Sequence, residues 1–177
     1  KRIVELYRTV AYPGIPIWHD TLEAQLRRDR YLTNCFGRKR KFMDAWGPDL
    51  LDAAFSFKPQ STVADVVLEG MKLAYIDESP CFQKALLAAN VYDSLLYRYP
   101  VEEVDHMSRF IHTMANDYMF PLMEYNGREF QINIDIKMGF DWGQKSMKTL
   151  KIGACEEETV GCIKLLVEEA RREREKA

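Results

Sequence analysis

The chain of 177 residues carries 25 Lys or Arg against 27 Asp or Glu and is 47% apolar. Its length fits one domain or a large piece of a bigger one, and its composition excludes wholesale disorder. No window of about 18 consecutive apolar residues occurs, so no membrane span is expected.

In chain order, residues 2–11 read as a helix end, with Ile3, Val4, Tyr7 and Val10 at helical spacing. Tyr12-Pro13-Gly14-Ile15-Pro16 stops it. A second helix is expected from about Pro16 to Arg30, with Ile17, Leu22 and Leu26 among its apolar positions. Tyr31-Leu32-Thr33 and Arg40-Lys41-Phe42 read as two short strands around Phe36-Gly37, where Gly37 supplies the turn. Residues 43–52 read as a loop and a new helix start. Val63, Val66, Val67, Gly70, Met71 and Ala74 predict an amphipathic helix over roughly 61–75. Thr62 and Asp65 are spaced as a capping box, with Pro59 just upstream.

Ala85 to Tyr92 and Leu95-Leu96-Tyr97 are mostly apolar around Asp93-Ser94, which predicts a hairpin with an acid at or near its tip. Val104, Met107, Ile111, Met114 and Tyr118 form one helical stripe between Pro100 and Pro121. Phe130, Ile132, Ile134, Ile136 and Met138 alternate with polar residues, which is the strongest strand signal in the chain. Gly139 and Gly143 bracket a turn holding Trp142, and the tail from about Glu156 is helical, with Ile163, Leu166, Val167 and Ala170 on one side. The expected fold is α+β, with helices packed on a small antiparallel sheet.

Two features could carry chemistry. From Arg27 to Lys41 seven Lys or Arg face one acid, Asp29. Such a run is either a solvated face or a phosphate-binding patch. Asp93 is either a turn former or a carboxylate that holds a hard cation such as Mg²⁺. His106 and His112 are not spaced to share a helix face, so they form no ligand pair. Ser61 and Ser94 have no obvious base, and no Gly-rich phosphate loop is present. Cys35, Cys81, Cys155 and Cys162 contain no C-x-x-C pair and read as reduced cytosolic thiols. The opening, Lys1-Arg2-Ile3-Val4-Glu5, is not a secretory leader. It does not begin with methionine, so the chain is expected to be part of a longer one.

Four blocks then line up. Tyr12-Pro13-Gly14-Ile15, Tyr31-Leu32-Thr33 and Phe36-Gly37-Arg38-Lys39-Arg40-Lys41-Phe42 resemble the segment after the fingers in family A DNA polymerases, the bacterial polymerase I and phage replicative type. Pro59-Gln60-Ser61-Thr62-Val63-Ala64-Asp65 resembles that family's glutamine-bearing helix, in a phage-like spelling. Val91-Tyr92-Asp93-Ser94-Leu95 resembles its third motif, usually V-H-D-E-L. Phe130-Gln131-Ile132 through Asp141-Trp142-Gly143 resembles its closing strand. The blocks occur in order over residues 3–143.

The resemblance implies a C-terminal palm portion over 31–150, after a helical segment over 1–30 and before a helical extension over 151–177. It implies Mg²⁺-dependent, template-directed 5′→3′ nucleotidyl transfer on primer–template DNA with dNTP as substrate, in the cytoplasm of a bacterium or a phage-infected host. Asp93 would be a metal-binding carboxylate, with Tyr92 near the primer terminus and Ser94 in place of the usual second acid. Gln60 would contact the minor groove, Ser56 stands where an Asn is usual, and Arg38, Lys39 and Arg40 would meet the nucleic-acid backbone. Asp52 stands where an Arg is common. The family pattern runs one helix through 50–75, whereas the local signals break it at Pro59. Two-metal transfer needs two carboxylates around a metal pair about 3.5–4 Å apart. Only Asp93 is present, so the other aspartate and the fingers are expected from an upstream or separate part of the polymerase. The alternative expectation is a non-catalytic nucleic-acid-binding or interaction module built on a palm remnant.

Overall fold

A computed structural model describes residues 6–143, 147–150 and 156–174. Its contacts divide the chain into two units, Lys1–Asp65 and Val66–Ala177. Ile3, Val4 and Cys155 lie outside the described residues.

In the first unit, Tyr7–Ala11 makes a single π-helical turn. Helix α1 (Gly14–Asp29) follows and ends at Arg30 in the left-handed region, φ 55°. Its apolar stripe buries Leu22 and Leu26 completely, but Ile17 points outward at 68% exposure. The stripe is therefore narrower than the periodicity suggests. Strands β1 (Tyr31–Thr33) and β2 (Lys39–Lys41) pair antiparallel with Leu32 opposite Arg40. Gly37 takes φ 83° in the connecting turn, where a side chain would be strained. Leu22, Leu26, Leu32, Phe42, Leu50, Ala54 and Phe57 form one core cluster. Residues 14–29 thus share a core with the basic hairpin.

Helix α2 spans Pro48–Ile76 with Pro59 inside it. This corrects the expected break and the expected start near 61. Pro48 opens the helix, where a missing N–H costs nothing. Pro59 lies on the exposed side. The carbonyl one turn back that loses its partner can turn to water there, and the buried Ala54, Phe57 and Thr62 hold the flanking turns. Thr62 is consequently not a cap, and Asp65 is recruited elsewhere.

In the second unit, short helix α3 (Pro80–Gln83) precedes the hairpin of β3 (Leu86–Val91) and β4 (Ser94–Arg98). Helix α4 (Val104–Thr113) runs into a π-helical turn, Met114–Tyr118. Of the expected stripe, Met107, Ile111 and Met114 are buried and Val104 and Tyr118 half-buried, with Phe110 buried beside them. The buried ones join Cys81, Phe82, Leu150, Ile163 and Val167 in the unit's core. Helix α5 (Glu156–Arg174) contributes the last two. Strands β5 (Met123–Tyr125) and β6 (Arg128–Phe130) flank Asn126-Gly127, both at positive φ. Strands β7 (Ile136–Met138) and β8 (Lys148–Leu150) form the fourth ladder.

The fold is α+β, and the strands of the described residues form four separate two-stranded ladders. The long strand expected over 130–138 is recorded only at its two ends, in β6 and β7. Exposure nevertheless alternates residue by residue from Phe130 to Met138. The sequence pattern reports two faces, but a ladder also needs a neighbour. Among the described residues, no helix is long and apolar enough to cross a membrane. Cys35, Cys81 and Cys162 are free thiols.

Candidate functional site

In the second unit, the β3–β4 register pairs Val91 with Ser94, so the hairpin tip is Tyr92-Asp93. Ser94 is the first residue of β4, whereas the sequence pattern places it at the tip with Asp93. Its hydroxyl donates to the Val91 carbonyl at 2.8 Å and closes the turn. Tyr92 carries the conformational cost, at φ 55°, with 94% of its surface exposed. A bulky residue in the left-handed region is an outlier, and such strain gathers at functional positions. Asp93 is exposed and makes no hydrogen bond or ion pair among the described residues. A turn-forming Asp normally spends its carboxylate on nearby backbone. Here the serine does that work, and the carboxylate remains available to a cation from outside.

A Mg²⁺ ion sits in an octahedron of oxygens, several of them water or substrate phosphate. Among the described residues no three His, Cys, Asp or Glu side chains gather to hold a metal. Asp93 therefore fits one ligand position and does not complete a Mg²⁺ site by itself.

In the first unit, Asp52, Ser56 and Gln60 follow one another at four-residue steps along α2 and share a face. The Ser56 hydroxyl donates to the Asp52 carbonyl at 2.7 Å, a bond within the helix. Gln60 is exposed, and its amide has no partner among the described residues.

Apart from Arg30, whose Nη2 donates to the Asp44 carbonyl, the basic run resolves into two populations. Arg27 bonds Glu23 at 2.7 Å, and Arg28 forks onto Asp29 at 2.7–3.0 Å. Arg38 turns onto Asp65, with Nε donating to both carboxylate oxygens at 2.9 and 3.1 Å and Nη2 reaching Oδ1. These three cations are partly neutralised inside the unit. The cations of β2 are not. Lys39, Arg40 and Lys41 are all exposed and have no acidic partner among the described residues. Lys39 and Arg40 lie over the Tyr31 and Phe42 rings, at 5.5 and 4.9 Å. Of the residues assigned to backbone contact, Lys39 and Arg40 are thus presented outward, and Arg38 is held by its own chain.

The residue that organises this hairpin, Asn34, is not among those the sequence pattern singles out. It is 7% exposed. Its Nδ2 donates to Asp65 Oδ2 at 2.6 Å and to Ser61 Oγ at 3.1 Å. Its Oδ1 accepts the Phe36 and Arg38 amides at 3.0 and 2.9 Å. One side chain thereby fixes the turn and ties it to α2. Burial pushes the Asp65 carboxyl up, and the bonds from Arg38 and Asn34 outweigh it, leaving the carboxyl below the usual carboxylate range. An Asn two residues before the Phe36-Gly37 turn was the available signal, but its partner lies 31 residues away.

No protein-family model matches the chain, and no similar curated protein or solved structure was found.

Proposed function

We propose that the chain is the C-terminal palm portion of a DNA-directed DNA polymerase of family A type. It supplies one metal-binding carboxylate, Asp93, and part of the grip on primer–template DNA. The observation that carries this reading is the Tyr92-Asp93 tip, where a strained, exposed aromatic stands beside a carboxylate that the turn does not use. Helix α2 running through Pro59 adds support, because the resemblance asks for one helix there and local rules do not. Gln60, exposed and unbonded, suits a minor-groove contact, since every base pair offers an acceptor there. Strand β2 suits the phosphate backbone. The second aspartate, the fingers and the remaining Mg²⁺ ligands come from the N-terminal part of the polymerase, on the same chain or another, and from dNTP.

The test is primer extension. The 177-residue chain alone should incorporate no nucleotide. Combined with the polymerase part encoded upstream or in a neighbouring gene, it should show Mg²⁺-dependent synthesis. Asp93→Asn should abolish that synthesis, because the swap keeps size and removes charge, and Ser94→Ala should cost far less. Full synthesis with Asp93→Asn would overturn the assignment.

A second reading, a nucleic-acid-binding module without catalysis, is favoured by Ser94, whose hydroxyl is spent on the Val91 carbonyl where the resemblance asks for a second acid. Binding of DNA without synthesis in the combined assay would select it.

A further inference from the structure

Shortly after the basic strand the chain carries an aromatic ring that the proposed function does not use. The Phe42 amide donates to the Arg30 carbonyl at 2.9 Å, which joins the end of β2 to the end of α1. The chain then runs through Met43, Asp44, Ala45 and Trp46 before α2 begins. Arg30 Nη2 donates to the Asp44 carbonyl at 2.6 Å and holds this loop against the helix end. Trp46 stays at the surface, 39% exposed, and Met43 stands out at 74%. The Arg27 guanidinium lies over the indole at 4.2 Å, and the Arg30 guanidinium lies 6.0 Å from its centre.

A surface indole stacked with arginine is the arrangement on which an unpaired base can lie. Every base has a π-face, and both indole and guanidinium planes accept it. In the chain the ring follows shortly after Lys39, Arg40 and Lys41 of β2, which are exposed and have no acidic partner among the described residues. A base within a duplex is already stacked and cannot use the platform. The occupant is therefore single-stranded.

We propose that Trp46, held by Arg30 and layered with Arg27, is a stacking platform for an unpaired nucleotide of a single-stranded segment. The proposal rests on the nucleic-acid reading above and adds a site to it.

The experiment measures binding of the 177-residue chain to a fluorescent oligothymidylate and to an abasic oligomer of the same length, by anisotropy at fixed salt. The base-bearing strand should bind about tenfold more tightly, the scale of one stacked base. Trp46→Ala should erase that preference and leave abasic binding unchanged. Trp46→Phe should keep most of the preference. Circular dichroism establishes that each variant is folded. Equal binding of the two oligomers by the parent chain overturns the platform and leaves the phosphate contacts standing. A preference that survives Trp46→Ala also overturns it. No binding of either oligomer overturns the platform together with the chain's nucleic-acid grip.

Discussion

Asn34→Ala tests how the basic hairpin is held. The side chain is 7% exposed and makes four hydrogen bonds. Two come from turn amides at exposed positions, where water can substitute, so each is worth about 0.5 kcal/mol. The bond to Ser61 adds about 1 kcal/mol, and the charge-assisted bond to the largely buried Asp65 adds about 1.5 kcal/mol. The expected loss is about 3.5 kcal/mol, a large fraction of the stability of an ordinary domain. Urea unfolding followed by tryptophan fluorescence reads the total. Amide hydrogen exchange at Phe36 and Arg38 reads the cause, because both donors lose their acceptor. Protection at these two amides should collapse first, while protection within α4 stays. A loss below about 1 kcal/mol, or unchanged protection at Phe36 and Arg38, would refute the idea that Asn34 organises the turn.

Pro59→Ala should stabilise α2 by about 1–3 kcal/mol in chemical unfolding, since it restores an N–H and removes a ring clash inside the helix. Gly70→Ala should do the reverse despite better helix propensity, because the new Cβ would meet Met119 Cγ at 2.5 Å; a loss of about 1 kcal/mol is expected. Tyr99 and Tyr118 are both pushed up to about 12, Tyr99 chiefly by burial and Tyr118 chiefly by its bond to Asp77 at 2.7 Å. Their raised pKa means stability that is whole below about pH 10 and lost as pH rises through about 12; burial raises Tyr97 as well, so phenolate absorbance should show late-ionising tyrosines, and one fewer of them in Tyr118→Phe. Replacing Lys39, Arg40 or Lys41 with Ala should each lower the log–log salt slope of duplex binding by about 0.9, whereas Arg38→Ala should lower stability and leave most of the slope.

Several elements were legible because one local signal sufficed. The Val104–Tyr118 stripe, the helical tail and the Tyr31–Lys41 hairpin follow from periodicity and one glycine. The hairpin at Asn126-Gly127 carries an equally local signal, overshadowed by the alternation from Phe130 onward. Asn-Gly between two short extended segments is a strong short-range hairpin signal, and both residues take the positive φ that it requires. Pro59 misled for a different reason. The rule against proline in a helix is a cost of about 3 kcal/mol, and burial on the opposite side of α2 outweighs it.

The candidate site divides along the same line. An acid between two apolar runs marks a hairpin tip, so Asp93 could be found from neighbours alone. What the carboxylate does at the tip could not, because that depends on whether Asp93 or Ser94 bonds the turn, and both residues can. Charge counting located the basic run but assigned its cations no partners. Glu23 and Asp29 are close in sequence to the arginines they hold, whereas Asp65 reads as a helix cap until the hairpin is laid against α2. Composition treats Arg38 and Arg40 as equivalent cations. In the folded unit one is tethered by a nearly buried carboxylate, and the other faces solvent beside Lys39 and Lys41. Ligand phosphate must displace Asp65 to engage the first and only water to engage the second. Phosphate contact, as proposed, would therefore fall to β2, while Arg38 stays tied to Asp65.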